Sequence, residues 1–295
     1  MAYKPKKDGG CAVAFGYDMD MPGDPAYLYD RSLGWKGSQN GNPGGNALVD
    51  FCHGHLNKDI IDYVLLLAQT AERFDARIQF FLQGNTFEDP VDHWKTIAAN
   101  GHAIDSHMYY HVGLIDETPE EVRRQLTKTK ALIEEAFGTV NIGLRGPGGY
   151  ANGLHGREDI QHAILDAGIR WVSSQIGRAP AGDDSAWINL IPERQPVYYA
   201  TGLLEIPFGG HQDRSFFDVD MGGSPRPLDE WIEYLKKCVD VAYDNHLFYA
   251  QTVHPSTSFK HDREARYLSE ILEYCRQRPE IVVCTFQDMY GWLAR

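Results

Sequence analysis

The sequence predicts an α/β fold in which a parallel sheet closes into a distorted (β/α) barrel of about seven strands. Three observations carry that expectation. Short β-rich apolar runs alternate with segments of helical period from one end of the chain to the other. No second regime of composition interrupts the alternation, so residues 1–295 read as one domain. A chain of 295 residues, 43% hydrophobic and 23% charged, suits a single barrel with a sizeable core.

The elements follow in order. Cys11-Ala12-Val13-Ala14-Phe15 is the first strand, and residues 59–74 carry apolar side chains at helical spacing behind Asn57 as cap. Ile78-Gln79-Phe80-Phe81-Leu82 is a strand. A helix through Trp94 and Ile97 ends at Asn100-Gly101, and His102-Ala103-Ile104-Asp105 is the next strand. Thr118 caps a helix that has Pro119 at its first position and Glu121 to close a capping box; it runs to about Phe137-Gly138. A strand at Asn141-Ile142-Gly143-Leu144, a helix over 158–166 and a strand at Arg170-Trp171-Val172 follow.

Residues 177–201 lack periodicity and carry three prolines, which reads as an inserted loop. Regular alternation returns with Leu203-Leu204-Glu205-Ile206, a helix over 228–243 and Leu247-Phe248-Tyr249-Ala250. A helix over 263–276, the strand Ile281-Val282-Val283-Cys284 and a short helix to Leu293 close the chain. The other insertion, residues 21–56 with a glycine-rich stretch at 34–45, lies beyond the C-terminal end of the first strand. Barrels keep their active-site loops on that side.

The net charge of −13 argues against a nucleic-acid or anionic-membrane partner, either of which would want a basic face. No apolar stretch approaches the length of a membrane span. The lysines at the N-terminus are not followed by the apolar core of a signal peptide, and the five scattered cysteines form no CxxC pair. A cytoplasmic protein is therefore expected.

Candidate chemistry sits after the strands. In Asp105-Ser106-His107-Met108-Tyr109-Tyr110-His111 the two histidines project to one side if a helical turn separates them. Neutral imidazoles so placed suit zinc or another late first-row divalent ion. Tyr17-Asp18-Met19-Asp20 puts two carboxylates at the mouth, one to bind metal and one to take a proton from water. Arg145-Gly146-Pro147-Gly148-Gly149-Tyr150 and Val253-His254-Pro255 follow two further strands. An arginine there holds a carboxylate base ionised, glycines let backbone N–H groups approach an oxyanion, and a histidine protonates a leaving nitrogen.

Taken together and in this order, these pieces resemble the polysaccharide deacetylase (NodB-homology) superfamily, and the resemblance runs from Val13 to Trp292. It implies the NodB type of distorted barrel and hydrolysis of an amide-type C–N bond. It also implies Asp18 as general base, Asp20, His107 and His111 as the ligands of a divalent metal ion (zinc first), Arg145 to orient Asp18, and His254 as general acid. Backbone around Gly148 would form the oxyanion hole. Three departures from the family pattern stand out. The usual adjacent aspartates are Asp18-x-Asp20, Gly148 replaces an aromatic that Tyr150 would supply instead, and Ser173-Ser174-Gln175 lacks the aspartate of the fourth motif.

The His53-Gly54-His55 pair superficially resembles the H-x-H of amidohydrolase barrels but has no matching downstream lysine and aspartate. His53 and His55 are expected to touch substrate from a loop over the mouth. The expected substrate is an N-acetylated amino sugar or its oligomer. The alternatives are a small cyclic imide or ureide, and mere carbohydrate binding. The resemblance also admits a homo-oligomer.

Overall fold

A computed structural model describes residues 10–22, 52–177, 179–180, 182–217 and 226–294. The glycine-rich stretch at 34–45 and most of the 21–56 insertion lie outside the described residues. Strand β1 (Cys11–Met19) is buried along its whole length, which is why its apolar run does not alternate with polar residues. A two-stranded antiparallel piece comes next, β2 (Met21–Pro22) with β3 (Cys52–His53). Then come α1 (Lys58–Glu72), β4 (Gln79–Leu82), α2 (Asp92–Ala99), β5 (Ala103–Ser106), α3 (Pro119–Phe137), β6 (Gly143–Tyr150), α4 (Glu158–Asp166) and β7 (Trp171–Gln175). The second half holds α5 (Asp184–Asn189), β8 (Val197–Tyr198), β9 (Leu204–Glu205), α6 (Asp213–Phe217), α7 (Leu228–Asp244) and β10 (Phe248–Val253). It ends with α8 (Pro255–His261), α9 (Arg266–Arg276), β11 (Ile281–Cys284) and α10 (Phe286–Leu293).

The nine-stranded sheet runs β10-β1-β4-β5-β6-β7-β9-β8, with β11 also on β1. All of its pairings are parallel except β8 with β9. β1 is the hinge of the curl. Its first half pairs with β11 and its second half with β4, while β10 lies along the other side. The sheet bends until the chain after β9 meets β10, where Gly209 N–H donates to Ala250 O at 3.0 Å. The Gln195 side chain brackets Phe248, accepting from its N–H at 2.9 Å and donating to its carbonyl at 3.0 Å.

Local chemistry explains the element boundaries. Asn57 caps α1 by accepting from Ile60 N–H, and Thr118 caps α3 by accepting from Glu121 N–H. The expected capping box at α3 does not close, because the Glu121 carboxylate is taken by Arg124 and Gln125 instead. A capping box forms at α10, between Thr285 and Asp288. Two further expectations change. Residues 177–201 contain α5 and β8 rather than an unstructured loop. The helix expected over 263–276 begins at Arg266 as α9, behind Ala265 in the left-handed region (φ 54), and a separate helix, α8, precedes it.

Asp105 ties the sheet to the last helix. Its buried carboxylate accepts from Gln79, Asn141, Gly143 N–H and Gln287, so β4, β5, β6 and α10 meet on one group. Burial pushes its pKa up to about 6 in spite of those four donors. Between the ordinary value near 3.8 and 6 the folded protein binds more protons than the unfolded one. Stability from this group is therefore greatest at low pH and falls as pH rises through 6. Asp105→Ala is expected to destabilise the protein, and by about 1 kcal/mol more at pH 5 than at pH 7.5; urea denaturation of both proteins at the two pH values measures this.

Candidate active site

The carboxylates and imidazoles named in the sequence converge at the C-terminal ends of β1, β5, β6 and β10. Asp18 lies near the end of β1 and Asp20 just beyond it; both are buried. Their carboxylates reach His254, with Asp18 Oδ2 at 3.8 Å and Asp20 Oδ1 at 3.9 Å from its Nε2. His111 Nε2 is 3.8 Å from Asp20 Oδ2. The rings of His107 and His111 stand 4.9 Å apart.

No helical turn brings the two histidines together. The chain after β5 bends at Met108, a non-glycine residue with φ 64, and is stitched to the chain after β4: His107 N–H donates to Leu82 O at 2.7 Å, and Met108 O accepts from Gly84 N–H at 2.8 Å. A left-handed side-chain-bearing residue is strained, and surrounding contacts must hold it. The benefit is local to the site. His107 Nδ1–H donates to Arg145 O at 2.8 Å, which fixes the tautomer and leaves Nε2 as a bare lone pair, buried and without a hydrogen-bond partner. Burial pulls this imidazole down to about 4, so it is neutral and able to ligate.

Arg145 is fully buried inside the barrel. Its guanidinium faces the rings of Phe208, Phe81 and Phe286 at 4.3, 4.7 and 5.1 Å, donates to Thr252 Oγ1, and brings Nε to 3.7 Å from Asp18 Oδ1. Gly16 on β1 makes the room. A Cβ there would stand 2.8 Å from Arg145 Nη2 and 2.9 Å from the Phe81 ring. Arg145 was expected to hold Asp18 ionised, and the balance is different. Burial raises the Asp18 pKa, and Arg145 and His254 only limit the rise. Asp20 goes the other way: burial opposes, but Arg214 and the three imidazoles hold it far below the usual carboxylate range.

Three participants were not singled out from the sequence. Asp213, at the start of α6, accepts from both His254 Nδ1–H and His254 N–H at 2.7 Å. Burial and Arg214 pull the His254 imidazole down, yet Asp213 and Asp20 outweigh them and its pKa is raised. Arg214 donates to Asp20 Oδ2 at 2.8 Å. Cys52, on β3, brings its sulfur into the same cluster: Asp20, Cys52 and His111 offer ligand atoms within 4.8 Å of one another. The signal available for the first two was Asp213-Arg214 in the segment that follows the strand Leu203–Ile206 and the pair Gly209-Gly210.

The expected substrate contacts are placed as follows. Gly148 is exposed, with φ 93, in the irregular part of β6 where the register to β7 shifts. The Tyr150 hydroxyl is committed to backbone, accepting from Leu114 N–H at 2.6 Å and donating to Pro147 O at 2.8 Å. His53 Nδ1 accepts from His55 N–H at 3.2 Å, and His55 Nδ1 bonds Asp89 at 2.8 Å. Both histidines are half-buried.

Residues 64–167 match the family model described as polysaccharide deacetylase. A polysaccharide deacetylase, provisionally so described, from Mycobacterium smegmatis superposes over 100% of this chain and 94% of its own with TM-score 0.71 at 21% identity. PuuE allantoinase gives 0.67 at 17% identity over 100% and 94%. A Pseudomonas aeruginosa PAO1 chain, also provisionally described as a polysaccharide deacetylase, gives 0.66 at 15% over 98% and 93%. The uncharacterized protein YlxY of Bacillus subtilis (strain 168) is 31% identical over 77 residues, 26% of this chain; the match spans about a quarter of that relative, 24% of its length. The likeness in sequence to the polysaccharide deacetylases thus lies in residues 64–167, and the barrel as a whole shares its fold with these solved structures.

Asp213→Asn is expected to lower kcat about 100-fold with little change in KM, because His254 loses the group that orients it and favours its charged form. Steady-state kinetics on any substrate the protein turns over would check this.

Proposed function

We propose that the protein hydrolyses the amide of an N-acetylated amino sugar or its oligomer, using a divalent metal ion, zinc first, held by Asp20, His107 and His111. The observation that carries the metal is His107: a neutral, buried imidazole with its tautomer fixed by Arg145 O and its Nε2 unpartnered. Asp20 Oδ1 is likewise buried without a partner, and a pair of orphaned donors of this kind fits a cation. When bound, such an ion supplies Lewis acidity to water and to the amide carbonyl.

The chain's own residues do the rest. Asp18 takes the proton of the attacking water; its raised pKa makes it a stronger base than an ordinary carboxylate. Arg145 keeps Asp18 in place and limits that rise. His254, whose protonated form Asp213 favours, gives its proton to the departing nitrogen. The exposed backbone at Gly148 is assigned to the oxyanion, and His53 and His55 to the substrate side of the mouth. The five free thiols fit a cytoplasmic location.

A second reading is favoured by one observation. Asp18, Asp20, His107, His111 and His254 are all nearly closed off from solvent, at 6% exposure or less. A small cyclic imide or ureide fits a closed mouth better than a polymer does, and the likeness of fold to an allantoinase agrees with it.

Elemental analysis with a hydrolysis screen, with and without chelator, tests both readings. Stoichiometric metal and chelator-sensitive acetate release from N-acetylglucosamine oligomers is the expected result, and His107→Ala is expected to lose both metal and turnover. Ring opening of succinimide without acetate release would move the protein to the second reading. A fully active His107→Ala protein would sink the metal assignment.

A further inference from the structure

We infer that Cys52 supplies a thiolate to the divalent ion of this site, so that the metal is held by Asp20, Cys52 and His111, with His107 completing the set. The inference rests on the metal-dependent reading above and adds a donor of a different chemical kind. The Cys52 sulfur, an Asp20 oxygen and a His111 nitrogen already lie within 4.8 Å of one another, all three residues buried. The unpartnered Nε2 of His107 is the independent sign that this space is made for a ligand.

The position of Cys52 is built by the fold. β2 leaves Asp20 directly, and its Pro22 and Met21 pair with Cys52 and His53 of β3, so the residue after the carboxylate ligand and the thiol are joined by a two-rung ladder. On the far side, Gly54 N–H donates to Asn85 Oδ1 at 3.0 Å, and Thr86 Oγ1 donates to Gly54 O at 3.1 Å. A Cβ at Gly54 would come within 2.2 Å of Thr86 Oγ1, so glycine is what lets β3 sit this deep. Arg214 lies 3.9 and 4.0 Å from the Cys52 sulfur as well as 2.8 Å from Asp20. One guanidinium thus faces both anionic donors and offsets the charge that a carboxylate and a thiolate bring together.

Coordination replaces the S–H bond by a sulfur–metal bond, and the proton leaves to solvent. The consequence is selectivity. Carboxylate and imidazole alone accept manganese as well as zinc, nickel or cobalt, whereas a thiolate favours zinc and cobalt(II) over manganese.

Cobalt(II) added to the full-length protein after chelator treatment provides the test. The wild type should show visible d–d bands together with a near-ultraviolet thiolate-to-cobalt charge-transfer band. Cys52→Ser should keep the d–d bands, lose the charge-transfer band and bind cobalt about tenfold more weakly or worse. Cys238→Ser, a buried cysteine packed elsewhere, should retain both bands. Circular dichroism of each variant guards against misfolding. Wild-type d–d bands without charge transfer would overturn the thiolate and leave the metal-dependent reading standing, as would a charge-transfer band that survives in Cys52→Ser. Absence of both bands from the wild type would overturn the metal reading and the thiolate with it.

Discussion

A guanidinium with no access to water sits inside this barrel, and much of the architecture is arranged around it. Taking such an ion out of water costs several kcal/mol unless opposite charge and hydrogen bonds compensate. Asp18, the Thr252 hydroxyl and the faces of three aromatic rings provide that compensation for Arg145. The strand on one side must be glycine at position 16 to admit it. The backbone carbonyl of the same arginine sets the tautomer of His107. One residue therefore links the proposed base, by its side chain, to a proposed metal ligand, by its main chain, across β1, β5 and β6.

Asp20 and Asp18 show how two carboxylates separated by one residue acquire opposite character. Both are buried, yet Asp20 meets Arg214 and three imidazoles and is held strongly acidic, while Asp18 has a more distant arginine contact and is pushed toward basicity. Divergent environments of this kind divide labour between like groups, one to stay charged and one to exchange a proton. Met19 between them points its side chain into the core, so the alternation of the strand sends both carboxylates to the same side.

The barrel was readable in the sequence because its strands are short buried runs and its helices carry clean caps. Asn57, Thr118 and Pro119 act as the sequence indicates. The convergence of the candidate residues Asp18, Asp20, His107, His111, Arg145 and His254 was legible because the spacing of a β–α repeat fixes where strand ends fall. Asp213, Arg214 and Cys52 were not. They reach the site from a five-residue helix and a two-residue strand, elements too short to leave a periodic trace. Attention within Cys52-His53-Gly54-His55 went to the histidines, whereas the close approach of Gly54 to Asn85 and Thr86 turns the cysteine inward. The bend at Met108 was also hidden, since φ 64 at a methionine is imposed by tertiary contacts and not by local preference.

Closure of the barrel on the β10 side has a consequence of its own. Here the joint is made piecemeal, by Gly209 to Ala250, by the Gln251 side chain to His211 O, by Gln195 around Phe248, and by Asp213 to His254. Most of those bonds use a side chain on one side. A joint of this type opens at lower free energy than a ladder does. The alignment of His254, the proposed proton donor, thus depends on a joint held mainly by side chains, and warming disturbs that alignment before it disturbs the fold.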